Sequence, residues 1–261
     1  MSELEDKLYL ARVCHLSNLH EETLKYIEEV IILKNGDINE EEKNLLFNSL
    51  KSLINFRRES WRTINALESK EKKNKSSLLP RVTELKKTLE EEIKKYVNKG
   101  IELIDEKLLK GSISDELKVM YCKIKGDYIR YIIEITPNDR EEEINILKEK
   151  AEENYKIGLN LSESLNYLST TRVGLILNYS VFLYEIMKDY KNAYILANDV
   201  YQKTNKFLNN DNYDSSLIKE LNKILDKLKE NISKWADTIV PEKVENIASD
   251  VQPENVEVSP S

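Results

Sequence analysis

Glycine and proline are scarce in this chain: its 261 residues hold six glycines and five prolines, the latter at Pro80, Pro137, Pro241, Pro253 and Pro260. Long stretches therefore lack the residues that break helices, and most of the chain is free to be helical. Cysteine is scarcer still. Cys14 and Cys122 lie far apart inside apolar helical patterns, which reads as two small buried side chains in a reducing compartment rather than a disulfide. No run of about 18 uncharged apolar residues is present, which excludes a helical membrane span. The N-terminus is acidic (Glu3, Glu5, Asp6) where a secretory leader is basic and then apolar, so a cytoplasmic or nuclear location is expected. Missing too are a glycine-rich phosphate loop, paired-cysteine metal spacing, and a nucleophile in the motif its catalytic turn needs. The two histidines, His15 and His20, are five apart and straddle an expected helix end, so they do not share a face as metal ligands four apart do. The expectation is a protein that is not an enzyme and uses no cofactor or metal.

What is present is 40% hydrophobic and 33% charged, enough for a core beneath a heavily solvated exterior. The net charge of −7 opposes nonspecific attraction to nucleic acid or to an anionic membrane, so any anion site must be a local basic cluster. Apolar periodicity near 3.6 predicts about nine helices, over 3–17, 20–34, 40–70, 80–108, 114–136, 139–162, 168–187, 190–207 and 215–237. Asn39 with Glu42 three residues later forms a capping-box signal for the third. Leu53, Trp61, Ile64 and Leu67 stripe the third helix, and Leu85, Leu89, Ile93 and Tyr96 stripe the fourth. Helices this long suggest an extended antiparallel array. A domain is expected over 1–237. Residues 238–261, rich in Glu, Val, Asn, Pro and Ser, read as a flexible acidic tail.

Basic residues recur where the helices also show core faces. In the third helix Lys51 and Arg58 are two turns apart with Arg62 four residues on, so the three share a side. In the fifth, Lys123 and Arg130 share a side with Tyr131 alongside. Two guanidinium forks, an ammonium and a phenol hydroxyl can satisfy a phosphate dianion without metal. Periodicity leaves a plainer reading open, in which Arg58 and Arg130 only pair with some of the 47 acidic residues. Similarly, Leu177, Asn178, Val181 and Glu185 share a side of the seventh helix, and Asn231 and Trp235 are four apart in the ninth. Asparagine amides can hold the backbone of an extended peptide while apolar neighbours receive its side chains. Each asparagine taken alone could equally face solvent.

The segments Arg57-Arg58-Glu59-Ser60-Trp61-Arg62, KGDYIRY at 125–131 and GLILNYSVFLYEI at 174–186 resemble, in order and spacing, the 14-3-3 family. The similarity runs from the first helix to about residue 237. It implies an all-α, cup-shaped bundle of nine antiparallel helices, homo- or heterodimeric, with an amphipathic groove for peptides carrying phosphoserine or phosphothreonine. By motif, Lys51, Arg58, Arg130 and Tyr131 would hold the phosphate, and Asn178 and Asn231 the peptide backbone. Glu185 and Trp235 would support that clamp, Leu177, Val181 and Ile224 would line an apolar wall, and Lys123 would sit on the floor. The alternative is a tetratricopeptide-like scaffold for unmodified partners; Ala151 to Leu159 and Ala193 to Tyr201 share its small-then-aromatic rhythm but lie 42 residues apart.

Departures from the resembled family are expected to matter. Lys223, Lys227 and Lys234 stand where leucines are expected, favouring partners with acidic or polar residues after the phosphosite. Leu19 and Thr88 stand where two cross-subunit ion pairs, to residues like Glu92 and Glu22, are expected, leaving Leu16 and Leu85 to support an altered dimer. Ser60 lies near that face, and its phosphorylation would add charge there. The chain ends Val258-Ser259-Pro260-Ser261, so phosphorylated Ser259 is a candidate ligand for a groove of this same protein.

Overall fold

The computed structural model describes residues 2–110, 113–208 and 215–249, and among them every regular element is helical. The order is α1 (Glu3–Leu16), α2 (His20–Leu33), α3 (Glu40–Lys73), α4 (Leu79–Leu103), α5 (Asp115–Ile135), α6 (Glu141–Ser162), α7 (Thr170–Phe182), α8 (Tyr190–Leu208) and α9 (Ser215–Ser249). Two π turns, Ile104–Leu108 and Leu183–Met187, prolong α4 and α7. Eight helices agree with the expected bounds to within a few residues. The ninth does not stop near 237: between 215 and 249 only Pro241 belongs to the helix-breaking types, and the backbone stays helical through it. The expected tail thus starts inside α9, and Ser259 lies outside the described residues. No described helix is long and apolar enough to cross a membrane.

Local chemistry accounts for the helix starts. Ser2 and Glu5 at α1, and Asn39 and Glu42 at α3, each exchange side-chain and backbone hydrogen bonds in a capping box, a device in which the cap contributes about 1 kcal/mol. Glu42 also accepts from Lys34 at 2.7 Å, tying the end of α2 to the start of α3. Ser114 and Ser169 cap α5 and α7.

The chain divides into two compact units, residues 1–154 and 155–261. In the first, α3 packs on α2 and α4, burying Ile27, Ile31, Leu46, Leu50, Ile54, Ile93 and Val97 completely. Gly100 of α4 lets the Tyr128 ring of α5 close onto the helix, since a Cβ there would collide with that ring. That contact sets the position of α5, which carries half of the basic cluster. Gly36, with φ of +86°, lies against the Lys107 carbonyl and brings the α2–α3 connection onto the π turn. In the second unit α7, α8 and α9 pack mutually. Tyr155 is fully buried with its ring centre 5.3 Å from both Tyr179 and Phe182, while α9 buries Leu221, Leu225, Leu228 and Trp235.

Candidate functional site

On α3 the polar residues Asn44, Asn48, Lys51, Asn55, Arg58 and Arg62 recur every three or four positions, so they form one strip along the helix. Opposite them Leu46, Leu50, Leu53, Ile54 and Trp61 are buried in the first unit's core. The strip exists because the apolar period of the helix leaves that side free of core residues. Lys51 is exposed and, with His20, Asn48, Ser52, Asn55, Phe56 and Glu59, lines an open depression of about 520 Å³. Among the described residues Lys51 forms no ion pair.

Arg58 is nearly buried, and a desolvated guanidinium needs every donor matched. Its Nε and Nη2 donate to Glu134 Oε2 at 2.8 and 2.6 Å, and Nη1 donates to Asn55 Oδ1 at 3.2 Å. Its guanidinium carbon also lies 3.6 Å from the centre of the Tyr131 ring. Arg62 donates to the other oxygen of Glu134 at 2.5 Å. One carboxylate on α5 thus gathers two arginines of α3.

Two turns earlier on α5, the buried Asp127 accepts from Lys123 at 3.0 Å and from Arg130 at 3.4 Å. The guanidinium of Arg130 lies 5.0 Å from the Tyr131 ring centre. The structure therefore brings Arg58 and Arg130 each onto the ring of Tyr131, with Lys123 joined to Arg130 through Asp127. The plainer reading also holds in part, because Arg58 and Arg130 each do meet a carboxylate.

The charge balance decides what such a cluster attracts. Four cations, Arg58, Arg62, Lys123 and Arg130, pair with two carboxylates, Glu134 and Asp127. Burial alone would push the Glu134 carboxyl up, but its hydrogen bonds from Arg62 and the charge of Arg58 hold it below the usual carboxylate range. Both of its oxygens are thus spoken for as acceptors. Burial pushes the Tyr131 hydroxyl up, with Asp127 adding to the shift and Arg130, Arg58 and Lys123 opposing it. The hydroxyl stays protonated near neutral pH and can donate to an anion. The cations Arg58, Lys123 and Arg130 around that donor suit a tetrahedral dianion.

In the second unit, Leu177, Asn178 and Val181 are half-buried on α7, and Glu185 is exposed in the π turn that follows. On α9, Ile224 and Asn231 are half-buried. Trp235 is buried, and its ring stacks on Tyr184 at 4.6 Å with the planes 13° apart. Tyr184, Asp127, Glu134 and Asn55 escaped the sequence reading as parts of the site. Asp127 left a signal, since its partners Lys123 and Arg130 lie four residues before it and three after it on α5.

Comparison with known proteins converges on one family. The model of the 14-3-3 protein family matches residues 10–236. The chain is 32% identical over 240 residues to 14-3-3 protein 2 of Entamoeba histolytica, covering 90% of this chain and 97% of that protein. It is 32% identical over 236 residues to the 14-3-3 protein homolog of Trichoderma harzianum, covering 90% and 88%. With 14-3-3 protein 8 of Solanum lycopersicum the identity is 32% over 243 residues, covering 91% and 89%.

Proposed function

The chain belongs to the 14-3-3 family and is a phosphoserine/phosphothreonine peptide-binding adaptor, and we propose that Lys51, Arg58, Arg130 and Tyr131 hold the phosphate of the bound peptide. The observation that supports this assignment is the placing of the Arg58 and Arg130 guanidinium groups against the ring of Tyr131, whose hydroxyl is protonated and also feels the charge of Lys123. A phosphoseryl group carries about −1.5 to −2 charge at pH 7, which those cations attract. Family members act as adaptors rather than enzymes, so the binding energy goes into selecting and holding a partner. The tetratricopeptide-like alternative is not favoured, since one family model accounts for residues 10–236.

Asn178 and Asn231 are assigned to the peptide backbone, with Glu185 and Trp235 supporting them. Leu177, Val181 and Ile224 are assigned to peptide side chains, and Lys123 to the floor of the phosphate site. The binding domain is assigned to residues 1–237, with 238–261 as an acidic segment outside it. The exposed Leu16, Leu19 and Leu85 supply apolar area for self-association. Glu92 is engaged by Arg57 at 2.5 Å within the chain, so a carboxylate is not left unpaired by Leu19.

A fluorescence titration of a phosphorylated peptide against its unphosphorylated form tests the phosphate assignment. Binding of the phosphorylated form alone, lost in Lys51→Glu, is the expected result. Equal binding of both forms would remove the assignment.

A further inference from the structure

The hairpin of α3 and α4 ends in a basic tip. Over residues 70–81 there are five basic residues, Lys70, Lys72, Lys73, Lys75 and Arg81, against one acidic residue, Glu71, in a chain whose net charge is −7. All five are exposed, and among the described residues none of them forms an ion pair. Widening the span to 68–87 keeps the excess, with seven basic residues against three acidic, and Glu68 is itself taken up by Lys86 and Thr83. No residue from Arg62 to Glu92 is buried. Thus α3 runs about 18 Å past its last buried residue, Trp61, at 1.5 Å per residue. Helix stability does not account for this placement. A basic last turn suits the C-terminus of α3, but Arg81 lies in the first turn of α4, where the helix dipole opposes a positive charge. Lys75 follows the cap Asn74 with φ of 49°, a left-handed position in which glycine is the unstrained residue. Its N–H donates to the Lys72 carbonyl at 3.3 Å, and that of Ser76 donates to the Glu71 carbonyl at 3.1 Å, which fixes the turn. Between these two cations stands Leu78, 54% exposed, its N–H donating to the Ser76 hydroxyl at 3.1 Å.

We propose that this tip docks onto an anionic lipid surface, with its lysines and Arg81 among the headgroups and Leu78 at their boundary with the acyl chains. The proposal is independent of the phosphate assignment, since the tip shares no residue with that site. Two features favour a bilayer over a soluble polyanion. The cations are gathered at the end of a projection of about 18 Å, more than two screening lengths of about 8 Å each at physiological salt. Most of the acidic remainder of the chain therefore opposes the contact only weakly. An exposed leucine bracketed by cations also matches the layering of a membrane interface, with charge at the headgroups and apolar atoms beneath them. A soluble polyanion offers nothing for that leucine to enter. Each Lys or Arg held near an anionic surface strengthens binding by about fivefold, and the gain falls away with salt. Five such residues make a reversible, salt-sensitive anchor rather than an inserted one.

Co-sedimentation of the full chain with vesicles of phosphatidylcholine, alone or with about one third phosphatidylserine, tests the proposal. The serine-lipid vesicles are expected to bind at least about tenfold tighter than phosphatidylcholine alone, and about 0.5 M salt to remove most of the difference. Lys72→Ala/Lys73→Ala/Lys75→Ala is expected to weaken that binding by about 30-fold or more, and Leu78→Ser by about three- to tenfold. Lys150→Ala/Lys191→Ala/Lys206→Ala makes the same change of charge at exposed lysines elsewhere and is expected to leave binding within about twofold. Because no tip residue is buried, melting temperature and phosphopeptide affinity should stay at their wild-type values. Equal binding to the two kinds of vesicle, a preference that survives the tip substitutions, or an equal loss in the control variant overturns the proposal. Tip-dependent binding of a polyglutamate peptide or a single-stranded oligonucleotide as tight as that of vesicles, and indifferent to Leu78→Ser, assigns the tip to a soluble polyanion and overturns it. Light scattering in which the tip substitutions separate subunits assigns the tip to a contact between copies of this chain and likewise overturns it.

Discussion

The guanidinium of Arg58 on α3 sits 3.6 Å from the centre of the Tyr131 ring on α5, with two of its nitrogens on Glu134. Ring and hydroxyl of Tyr131 therefore have separable tasks under the proposed assignment: the ring steadies the arginine, and the hydroxyl would donate to the phosphate. Tyr131→Phe keeps the ring and is expected to weaken phosphopeptide binding by about tenfold, the value of one hydrogen bond to a charged group. Tyr131→Ala removes both and is expected to cost about a further three- to tenfold. Equal losses in the two variants, measured by anisotropy, would show that the hydroxyl alone matters.

Glu134 makes the cluster sensitive to acid. Burial opposes its charge, but the bonds from Arg62 and Arg58 win and its folded-state carboxyl titrates below the ordinary value. Such a group stabilises the fold above its unfolded-state pKa, and the contribution disappears as pH falls through the folded value. Thermal stability of the wild type is therefore expected to decline below about pH 4.5. Glu134→Gln is expected to lower stability near pH 7 by about 1–3 kcal/mol and to decline less over that acid range. Parallel melting curves for the two proteins from pH 7 to pH 3 would contradict this account.

Glu28 runs in the opposite sense. Burial is the largest influence on it and raises its carboxyl above the ordinary value, despite Lys99 at 3.6 Å. A carboxyl raised on folding favours the folded state at low pH, and its charge works against the fold once pH rises through the folded value. Glu28→Gln is expected to be neutral to stabilising at pH 7, by up to about 1 kcal/mol, with the advantage vanishing below about pH 4.5. Chemical denaturation at the two pH values checks the crossover.

Gly100 couples the core to the basic cluster on α5, because its missing side chain is what lets Tyr128 approach α4. In an exposed helix interior Gly→Ala is stabilising by about 1 kcal/mol. Here the added methyl must displace a buried ring, a kind of overpacking that costs about 1–3 kcal/mol. Gly100→Ala is expected to destabilise the protein and, by shifting α5, to weaken phosphopeptide binding. An unchanged melting temperature would show that Tyr128 rotates aside without penalty.

Much of this arrangement was legible in the sequence, for reasons that particular residues make plain. The starts of α1 and α3 follow from caps within a few residues of one another, and the shared side of Lys51, Arg58 and Arg62 follows from helical spacing alone. What spacing does not carry is the pairing of one helix with another. Glu134 lies 76 residues from Arg58, and nothing local distinguishes it from the other acidic residues. The stacking of Trp235 on Tyr184 is hidden for the same reason. The π turn at Leu183–Met187 also eluded the pattern, since one widened turn disturbs apolar periodicity too little to register.

Self-association is the remaining property with a sharp test. Leu16, 82% exposed on α1, and Leu85, 53% exposed on α4, leave apolar surface in water that a second subunit could cover. Glu21 and Glu92 are both held by Arg57 in the same chain, and Glu21 also accepts from the Tyr96 hydroxyl at 2.8 Å. With those carboxylates engaged internally, the assembly we propose draws on apolar contact more than on ion pairs across subunits. High salt should then leave a dimer largely intact, because screening weakens exposed ion pairs and not apolar burial. Leu16→Asp should separate it by placing a charge in the contact, whereas Glu92→Gln should have little effect on assembly. Light scattering at micromolar concentration in 0.05 M and 0.5 M salt checks all three outcomes. Dissociation by salt alone would show that ion pairs, and not Leu16 and Leu85, hold the subunits together.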